Sequence, residues 1–190
     1  MICIYVKKVT EKKEQHQEAV KLAEQLTVRF GGQQPVTYHC NVHGKPYLDA
    51  PNDCIFINWS HSGEYVICAA ADQEIGIDLQ HMKMEPKASL VRRTLGSEEL
   101  AYYENVLEEE QKKLFYQYWA VKESFLKALG TGFSAGLKGF RVQMEQGQPK
   151  IVQNMNKKEY VCRLLEFADA DYAAAVCCEQ EPGDIVIEYL

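Results

Sequence analysis

The chain has 190 residues, of which 46% are hydrophobic and 25% are charged, with a formal net charge of −6 at pH 7. These proportions are typical of a soluble globular protein with one domain, or with two small lobes that share a core. The negative charge argues against a general nucleic-acid binder, which needs a basic surface to displace counterions. A local basic pocket for a phosphorylated small molecule is still compatible with it.

The sequence predicts neither a targeting segment nor a membrane span. Residues 1–6 are apolar but too few for a signal peptide, and the lysines follow this stretch instead of preceding it. No apolar run approaches the length that a membrane requires. The seven cysteines show no C-x-x-C spacing and lie mostly in apolar runs, which indicates reduced, buried thiols. We therefore expect a cytoplasmic protein without membrane or nucleic-acid partners.

The first part of the chain predicts a strand at residues 2–6 and a helix at residues 11–30. Gly31 and Gly32 would end this helix. Residues 33–53 are rich in turn-forming residues. They include Lys45, held between Gly44 and Pro46, which by position alone is a solvated loop lysine.

Residues 54–80 predict an antiparallel meander of three strands, at 54–60, 64–71 and 74–80. The first two would be joined by a tight turn at residues 61–63. A histidine in such a turn is more often solvated than a ligand, so His61 carries little weight by itself.

The second part begins with a basic, irregular stretch at residues 81–96. Ser97 would cap a short helix ending near residue 107, and the charge run at 108–113 reads as a solvated face or a turn. Five further strands are predicted, at residues 140–144, 150–153, 160–167, 172–178 and 185–189.

After the charge run and before these five strands lies a long amphipathic helix that ends at Gly130. Trp119, Glu123 and Lys127 follow each other at steps of four, so they share one face at the edge of the apolar stripe. An ordinary Glu–Lys pair beside a core tryptophan would explain this column. A functional reading gains support from Asp78, which ends an apolar run where strand formers are expected.

An internal echo predicts two similar α+β lobes. Glu64-Tyr65, six apolar residues and Asp72-Gln73 resemble a second stretch that runs from Asp171 to Gln180, and an Ile-x-Ile-acid element follows each. We place the lobes at residues 1–75 and 76–190, each an antiparallel sheet with a packed helix. The cleft between them is the expected ligand site.

The acidic residues suggest a metal site. Asp78 and Gln80 lie two apart on a predicted strand, and with Glu123 they offer three oxygen ligands suited to Mg²⁺, which Mn²⁺ could replace. Lys127, with Lys45 and His61, could bind phosphates. Such a set suits phosphoryl-type transfer, provided that the strand and helix residues meet.

Three motifs carry a resemblance to the 4′-phosphopantetheinyl transferases, of the larger single-chain type that activates surfactin synthetase. The family patterns are S-H-S after a strand, G-[IV]-D-[IVL]-E, and W-x-x-K-E-[SA]-x-x-K. In this chain they read as Ser60-His61-Ser62, Gly76-Ile77-Asp78-Leu79-Gln80 and Trp119 to Lys127.

The resemblance implies two similar α+β lobes with the active site between them. It implies transfer of the phosphopantetheine arm of coenzyme A to a serine of an apo acyl or peptidyl carrier protein, releasing adenosine 3′,5′-bisphosphate. Asp78 and Glu123 would hold Mg²⁺, Glu123 would also be the general base, and Lys127 would bind phosphate oxygens. His61, with Ser60, would contact the 3′-phosphate and Lys45 would lie near the nucleotide end. The basic stretch 81–96 would help to dock the carrier.

Two departures from the family pattern leave alternatives open. The second acidic position is Gln80, whose amide oxygen can ligate Mg²⁺ but brings no charge. The usual basic residues before Gly44 are not recognisable, and Lys12, Lys21 and Arg29 are candidates. The alternatives are a carrier-binding paralogue with impaired catalysis, or a different Mg²⁺-dependent phosphotransferase or phosphatase. Two lobes in one chain predict a monomer.

Overall fold

The computed structural model describes residues 1–132 and 136–190. Within these ranges the elements, in chain order, are β1 (Ile2–Lys8), α1 (Lys12–Arg29), β2 (Tyr38–Cys40), β3 (Pro46–Leu48), β4 (Phe56–Ser62), β5 (Tyr65–Ala71), β6 (Ile75–His81), α2 (Ala88–Thr94), α3 (Ser97–Asn105), α4 (Glu108–Leu129), β7 (Arg141–Glu145), β8 (Gln148–Val152), β9 (Val161–Leu165), β10 (Tyr172–Cys178) and β11 (Ile185–Tyr189).

The elements stack in four layers: α1, a first sheet, a second sheet and α4. The first sheet has the strand order β11-β1-β5-β4 and the second β6-β10-β9-β8-β7. One core lies between the sheets, where Ile4 and Ile67 of the first face Ile77 and Val176 of the second. The outer face of the first sheet packs against α1 around Leu22, and the outer face of the second sheet packs against α4 around Phe125. Each helix therefore covers its own sheet, as layer architectures require.

The prediction of an α+β fold with two similar lobes is confirmed. The order β1-β5-β4 in the first sheet is repeated as β6-β10-β9 in the second, with antiparallel pairing throughout. The two echoed segments are the equivalent strands β5 and β10. Their following turns touch, since the Gln180 backbone N–H donates to Gln73 Oε1 at 2.7 Å.

Strand β11 makes the first sheet mixed instead of wholly antiparallel. It pairs in parallel with β1, so that Ile4 lies opposite Ile187. The last strand of the chain thus belongs to the sheet of the first lobe. The division at residue 75 stays a prediction, and β6 begins the second sheet at Ile75.

The predicted three-stranded meander is wrong, because β6 leaves the first sheet to pair with β10. The predicted turn at residues 61–63 is also displaced. His61 and Ser62 continue β4, opposite Val66 and Tyr65, and the chain turns at Gly63 with φ of 58°. A Cβ on Gly63 would lie 2.2 Å from the Tyr172 hydroxyl oxygen, so packing against the second lobe fixes the turn there.

Three local predictions are corrected near the helices. The charge run at 108–113 opens α4, where acidic residues in the first turn favour the positive end of the helix dipole. Gly96, not Ser97, is the N-cap of α3, and its N–H donates to Glu99 Oε2 at 2.6 Å. Part of the basic stretch forms α2. The short strands β2 and β3 were not predicted, because three residues are too few to show an alternating pattern.

Of the helices in residues 1–132 and 136–190, none combines the length and the apolar character that crossing a membrane would need.

Candidate active site

The site lies where edge strands of the two lobes run side by side. Alternate side chains of β4 reach across to β6: Asn58 Oδ1 accepts a hydrogen bond from the Ile77 N–H at 2.9 Å, and Ser60 Oγ donates to Asp78 Oδ1 at 2.8 Å. The Ser62 hydroxyl accepts the last N–H of β6 at 3.0 Å. Side chains thus join two strands that belong to different sheets.

Helix α4 approaches β6 closely because of Gly76. A Cβ at this position would lie 2.1 Å from the Ser124 carbonyl oxygen and 2.3 Å from the Ala128 nitrogen. Both are backbone atoms of α4, so any side chain at residue 76 would push the helix away. The glycine before Asp78 therefore sets the distance at which the strand and helix carboxylates face each other.

Asp78 is buried and surrounded by donors. Its Oδ1 accepts from Lys127 Nζ at 2.7 Å as well as from Ser60, and its Oδ2 accepts from Gln80 Nε2 at 2.8 Å. Lys127 also donates to the Ile77 carbonyl oxygen at 2.9 Å. The ammonium of α4 is therefore fixed on the backbone and side chains of β6.

Glu123 lies one turn before Lys127 and is 8% exposed. Within the described part of the chain its Oε1 is buried and has no hydrogen-bond partner. Burial raises the pKa of Glu123 to about 7; the negative charge of Asp78 adds to this and Lys127 opposes it. A carboxylate with a pKa in this range can accept a proton near neutral pH.

A cavity of about 220 Å³ opens onto these groups. Lys45, Trp59, Glu123 and Lys127 are among its lining residues. Lys45 approaches from the β2–β3 hairpin, where it pairs with Glu74 and donates to the Ala128 carbonyl oxygen. Lys45 thus ties the hairpin to the end of α4 at the cavity wall.

His61 lies on the other face of β4, because it alternates with Ser60 and Ser62 along the strand. Its ring is exposed on the side of α1. Partial desolvation lowers the pKa of His61, and the positive charges of Lys127 and His16 lower it further, while Asp78 opposes them. His61 is therefore near the site but does not line the cavity described above.

The residues predicted as a site are largely brought together. Asp78, Gln80, Ser60 and Lys127 are joined by hydrogen bonds, Glu123 adjoins them, and Lys45 lines the same cavity. In the described ranges no three His, Cys, Asp or Glu side chains cluster closely enough to hold a metal.

Two carboxylates fit a divalent cation of the magnesium type, which takes one or two carboxylates and completes its shell with water and phosphate oxygens. Glu123 Oε1 is buried with no hydrogen-bond partner in the described ranges, and Glu123 and Asp78 repel each other, so both observations favour a cation there.

Sequence reasoning missed the role of Lys122. Its side chain is fully buried, 2.7 Å from Glu99 Oε1, and it donates to the Leu137 carbonyl oxygen at 2.7 Å. The signal was present: Lys122 follows Tyr118 by four residues and so falls on the apolar stripe of α4, where a lysine needs a buried partner. Asn58 was missed because nothing in sequence links it to β6.

Comparisons with known proteins identify a family. The family model of the 4′-phosphopantetheinyl transferase superfamily matches residues 74–177, more than half of the chain. The 4′-phosphopantetheinyl transferase Sfp of Bacillus subtilis (strain 168) is 34% identical over 160 residues, which cover 80% of this chain and 68% of the relative. Another Bacillus subtilis 4′-phosphopantetheinyl transferase is 31% identical over 142 residues, 75% of this chain and 62% of the relative.

Among solved structures, a holo-(acyl-carrier-protein) synthase from Bacillus anthracis matches with a TM-score of 0.49 and 19% identity, over 55% of this chain and 92% of that chain. The chain spans between about half and two thirds of the length of the curated relatives it matches. The family match and the similarity to Sfp over most of the chain show that this chain belongs to the 4′-phosphopantetheinyl transferase superfamily, in its Sfp-like group.

Proposed function

We propose that this chain transfers the 4′-phosphopantetheine arm of coenzyme A to a serine of an apo acyl or peptidyl carrier protein, with Mg²⁺ as cofactor. The observation that carries the proposal is the buried carboxylate oxygen of Glu123, which has no hydrogen-bond partner among residues 1–132 and 136–190 and lies next to the Asp78–Lys127 pair at the junction of the lobes. The relatives named 4′-phosphopantetheinyl transferase support the same reaction.

In this reaction the carrier serine oxygen bonds to the phosphorus that bears the pantetheine arm. The bond from that phosphorus to the bridging diphosphate oxygen breaks, and adenosine 3′,5′-bisphosphate leaves. Glu123 takes the serine proton, directly or through a water molecule. Its raised pKa makes it a stronger base than a solvated carboxylate.

Lys127 binds the diphosphate oxygens. Its ammonium is already held 2.7 Å from Asp78 Oδ1 and 2.9 Å from the Ile77 carbonyl oxygen, so little reorganisation is needed when negative charge develops on the leaving group. Asp78 and Glu123 would hold Mg²⁺, which neutralises diphosphate charge when bound.

The remaining predicted contacts are assigned to coenzyme A. Lys45, at the cavity wall, would lie near the nucleotide end. His61 would contact the 3′-phosphate, and its exposure on the α1 side leaves the ring accessible to a ligand. The side chain of Ser60 lies on the opposite face of β4 and donates to Asp78 Oδ1, so Ser60 would orient Asp78 instead of contacting this phosphate.

The carrier would dock on the basic stretch. Lys83, Lys87, Arg92 and Arg93 are all exposed around α2, and carriers of this kind tend to present acidic helices, so opposite charges would steer the encounter. We propose that the chain acts as a cytoplasmic monomer, with its seven cysteines free.

The test is intact-mass spectrometry of a panel of apo carrier proteins incubated with this protein, coenzyme A and Mg²⁺. We expect one carrier or more to gain the mass of a single phosphopantetheine group on its serine, and none to gain it with Glu123→Gln. If a folded protein that binds both substrates modifies no carrier, the impaired paralogue is correct instead. Consumption of coenzyme A without any carrier would indicate a different phosphotransferase or phosphatase.

A further inference from the structure

The side chain of Gln80 contacts Asp78 through its nitrogen. Gln80 Nε2 lies 2.8 Å from Asp78 Oδ2, while Oδ1 accepts from Ser60 and Lys127. Of the two polar atoms of a glutamine amide, only the nitrogen carries hydrogens to donate to a carboxylate, so Nε2 is the atom that faces Asp78. Both oxygens of the aspartate are thereby fixed by the protein itself.

The carboxylate of Glu123, the other acidic group of the site, differs from that of Asp78 in its hydrogen bonding. Glu123 Oε1 is buried without a partner among the described residues, whereas Asp78 accepts three hydrogen bonds. A glutamate at residue 80 would add a third carboxylate to the site, beside those of Asp78 and Glu123. Lys127 would be the ammonium that offsets their charge. Like charges at hydrogen-bond distance repel strongly in a buried site.

We infer that Gln80 is a positioning residue that orients Asp78 through its amide N–H, and that it does not supply its oxygen to the cation. The aspartate then keeps one orientation with or without a cation. This assignment replaces the ligand role that the sequence suggested for Gln80, and only its consequence for phosphopantetheine transfer rests on the proposed function.

The first test compares the melting temperatures of wild type, Gln80→Met and Gln80→Glu in EDTA. Gln80→Met keeps the length of the side chain but removes the donor. Loss of a hydrogen bond to a charged group should lower the melting temperature of Gln80→Met by on the order of 5 °C. Gln80→Glu should fall further because it adds repulsion. Gln143→Met, a half-buried glutamine on the edge strand β7, is the matched control. A Gln80→Met protein as stable as wild type in EDTA would overturn the inference, since an amide that serves only a cation does nothing without one.

The same proteins are then melted with Mg²⁺ alone. A merely structural role for Gln80 predicts the same Mg²⁺-induced rise in melting temperature in every variant. A positioning role predicts a smaller rise for Gln80→Met, whose Asp78 is no longer oriented, and a larger one for Gln80→Glu, whose added charge the cation offsets. Equal rises would contradict the assignment.

A spectroscopic measurement observes the contact in the wild-type protein itself. In metal-free ¹⁵N-labelled wild type, the Gln80 side-chain amide is identified as the pair missing from the spectrum of Gln80→Met. We expect one of its protons to be shifted downfield and slow to exchange, as for a bond to a carboxylate; a solvent-like shift would overturn the inference.

None of these tests uses coenzyme A or a carrier, so their failure leaves the transfer proposal standing, and failure of the transfer assay leaves the Gln80–Asp78 contact standing.

Discussion

Lys122 and Glu99 form an ion pair in which both side chains are withdrawn from water, with Nζ 2.7 Å from Oε1. Glu99 also accepts hydrogen bonds from the backbone N–H groups of Gly96 and Val142, at 2.6 and 2.7 Å. The pair therefore ties α3 and β7 to the residue that precedes Glu123 on α4. A buried charge that is paired and fully hydrogen-bonded is tolerated, but a single charge left behind is not.

Lys122→Met should destabilise the protein, because Glu99 is then buried without its counter-charge. The expected loss is about 3–5 kcal/mol in the free energy of unfolding, measured by urea denaturation. Adding Glu99→Gln to Lys122→Met should recover part of this loss. Lys113→Met, at an exposed position of the same helix, should change stability little. Equal losses for the two lysines would show that the ion pair has no structural role.

Glu123→Gln should stabilise the protein at alkaline pH while abolishing transfer. The pKa of Glu123 is raised to about 7 from its ordinary 4.5. Between these values the folded state keeps a proton that the unfolded chain has lost, so wild-type stability falls as the pH rises through this window. In EDTA at pH 8 the variant should exceed wild type by on the order of 2–3 kcal/mol, and the difference should vanish at pH 4.

The check is urea denaturation of both proteins at the two pH values, together with the carrier mass assay. A well-folded Glu123→Gln protein with a normal transfer rate would exclude Glu123 as the base. A variant less stable than wild type at pH 8 would contradict the burial of an uncompensated carboxylate.

Gly76→Ala should separate α4 from β6 and reduce transfer strongly. The new Cβ would lie 2.1 Å from the Ser124 carbonyl oxygen, and overpacking against backbone costs about 1–3 kcal/mol or more. Thermal unfolding and the transfer rate are the measurements. Gly183→Ala, where a Cβ meets nothing within 4 Å, is the control and should behave as wild type. A Gly76→Ala protein with unchanged stability and rate would show that the close approach is not required.

Charge reversal on α2 should weaken carrier recognition specifically. Arg92→Glu and Arg93→Glu are expected to raise the KM for a carrier protein several-fold, with the KM for coenzyme A unchanged, and to reduce the dependence of the rate on salt. Steady-state kinetics at low and high ionic strength measure this. Lys13→Glu, at an exposed position of α1, controls for net charge, and an equal effect from it would remove α2 from the docking surface.

The sequence predicted the parts of the fold that depend on local pattern. The apolar period located α4, glycine located its end with φ of 73° at Gly130, and the echo between β5 and β10 located the duplication. It could not predict which sheet β6 would join, because the sequence of a strand shows which side chains share a face but not which other strand it pairs with. The same limit applies to β11, which pairs with β1 across the length of the chain.

The site was predictable as a set of residue types but not as a geometry. The motifs grouped Asp78, Glu123 and Lys127, whereas the atom through which Gln80 acts needs coordinates. Likewise, His61 was placed in a turn, although pairing with Val66 keeps it in β4 and turns it away from Ser60.

Pairing of β11 with β1 also constrains how the protein is made. On a ribosome, β1, α1, β4 and β5 emerge well before residues 185–189, so the edge of the first sheet at β1 stays open until β11 has been made. An open edge beside the apolar Ile2 and Ile4 is a place where nascent chains can pair wrongly.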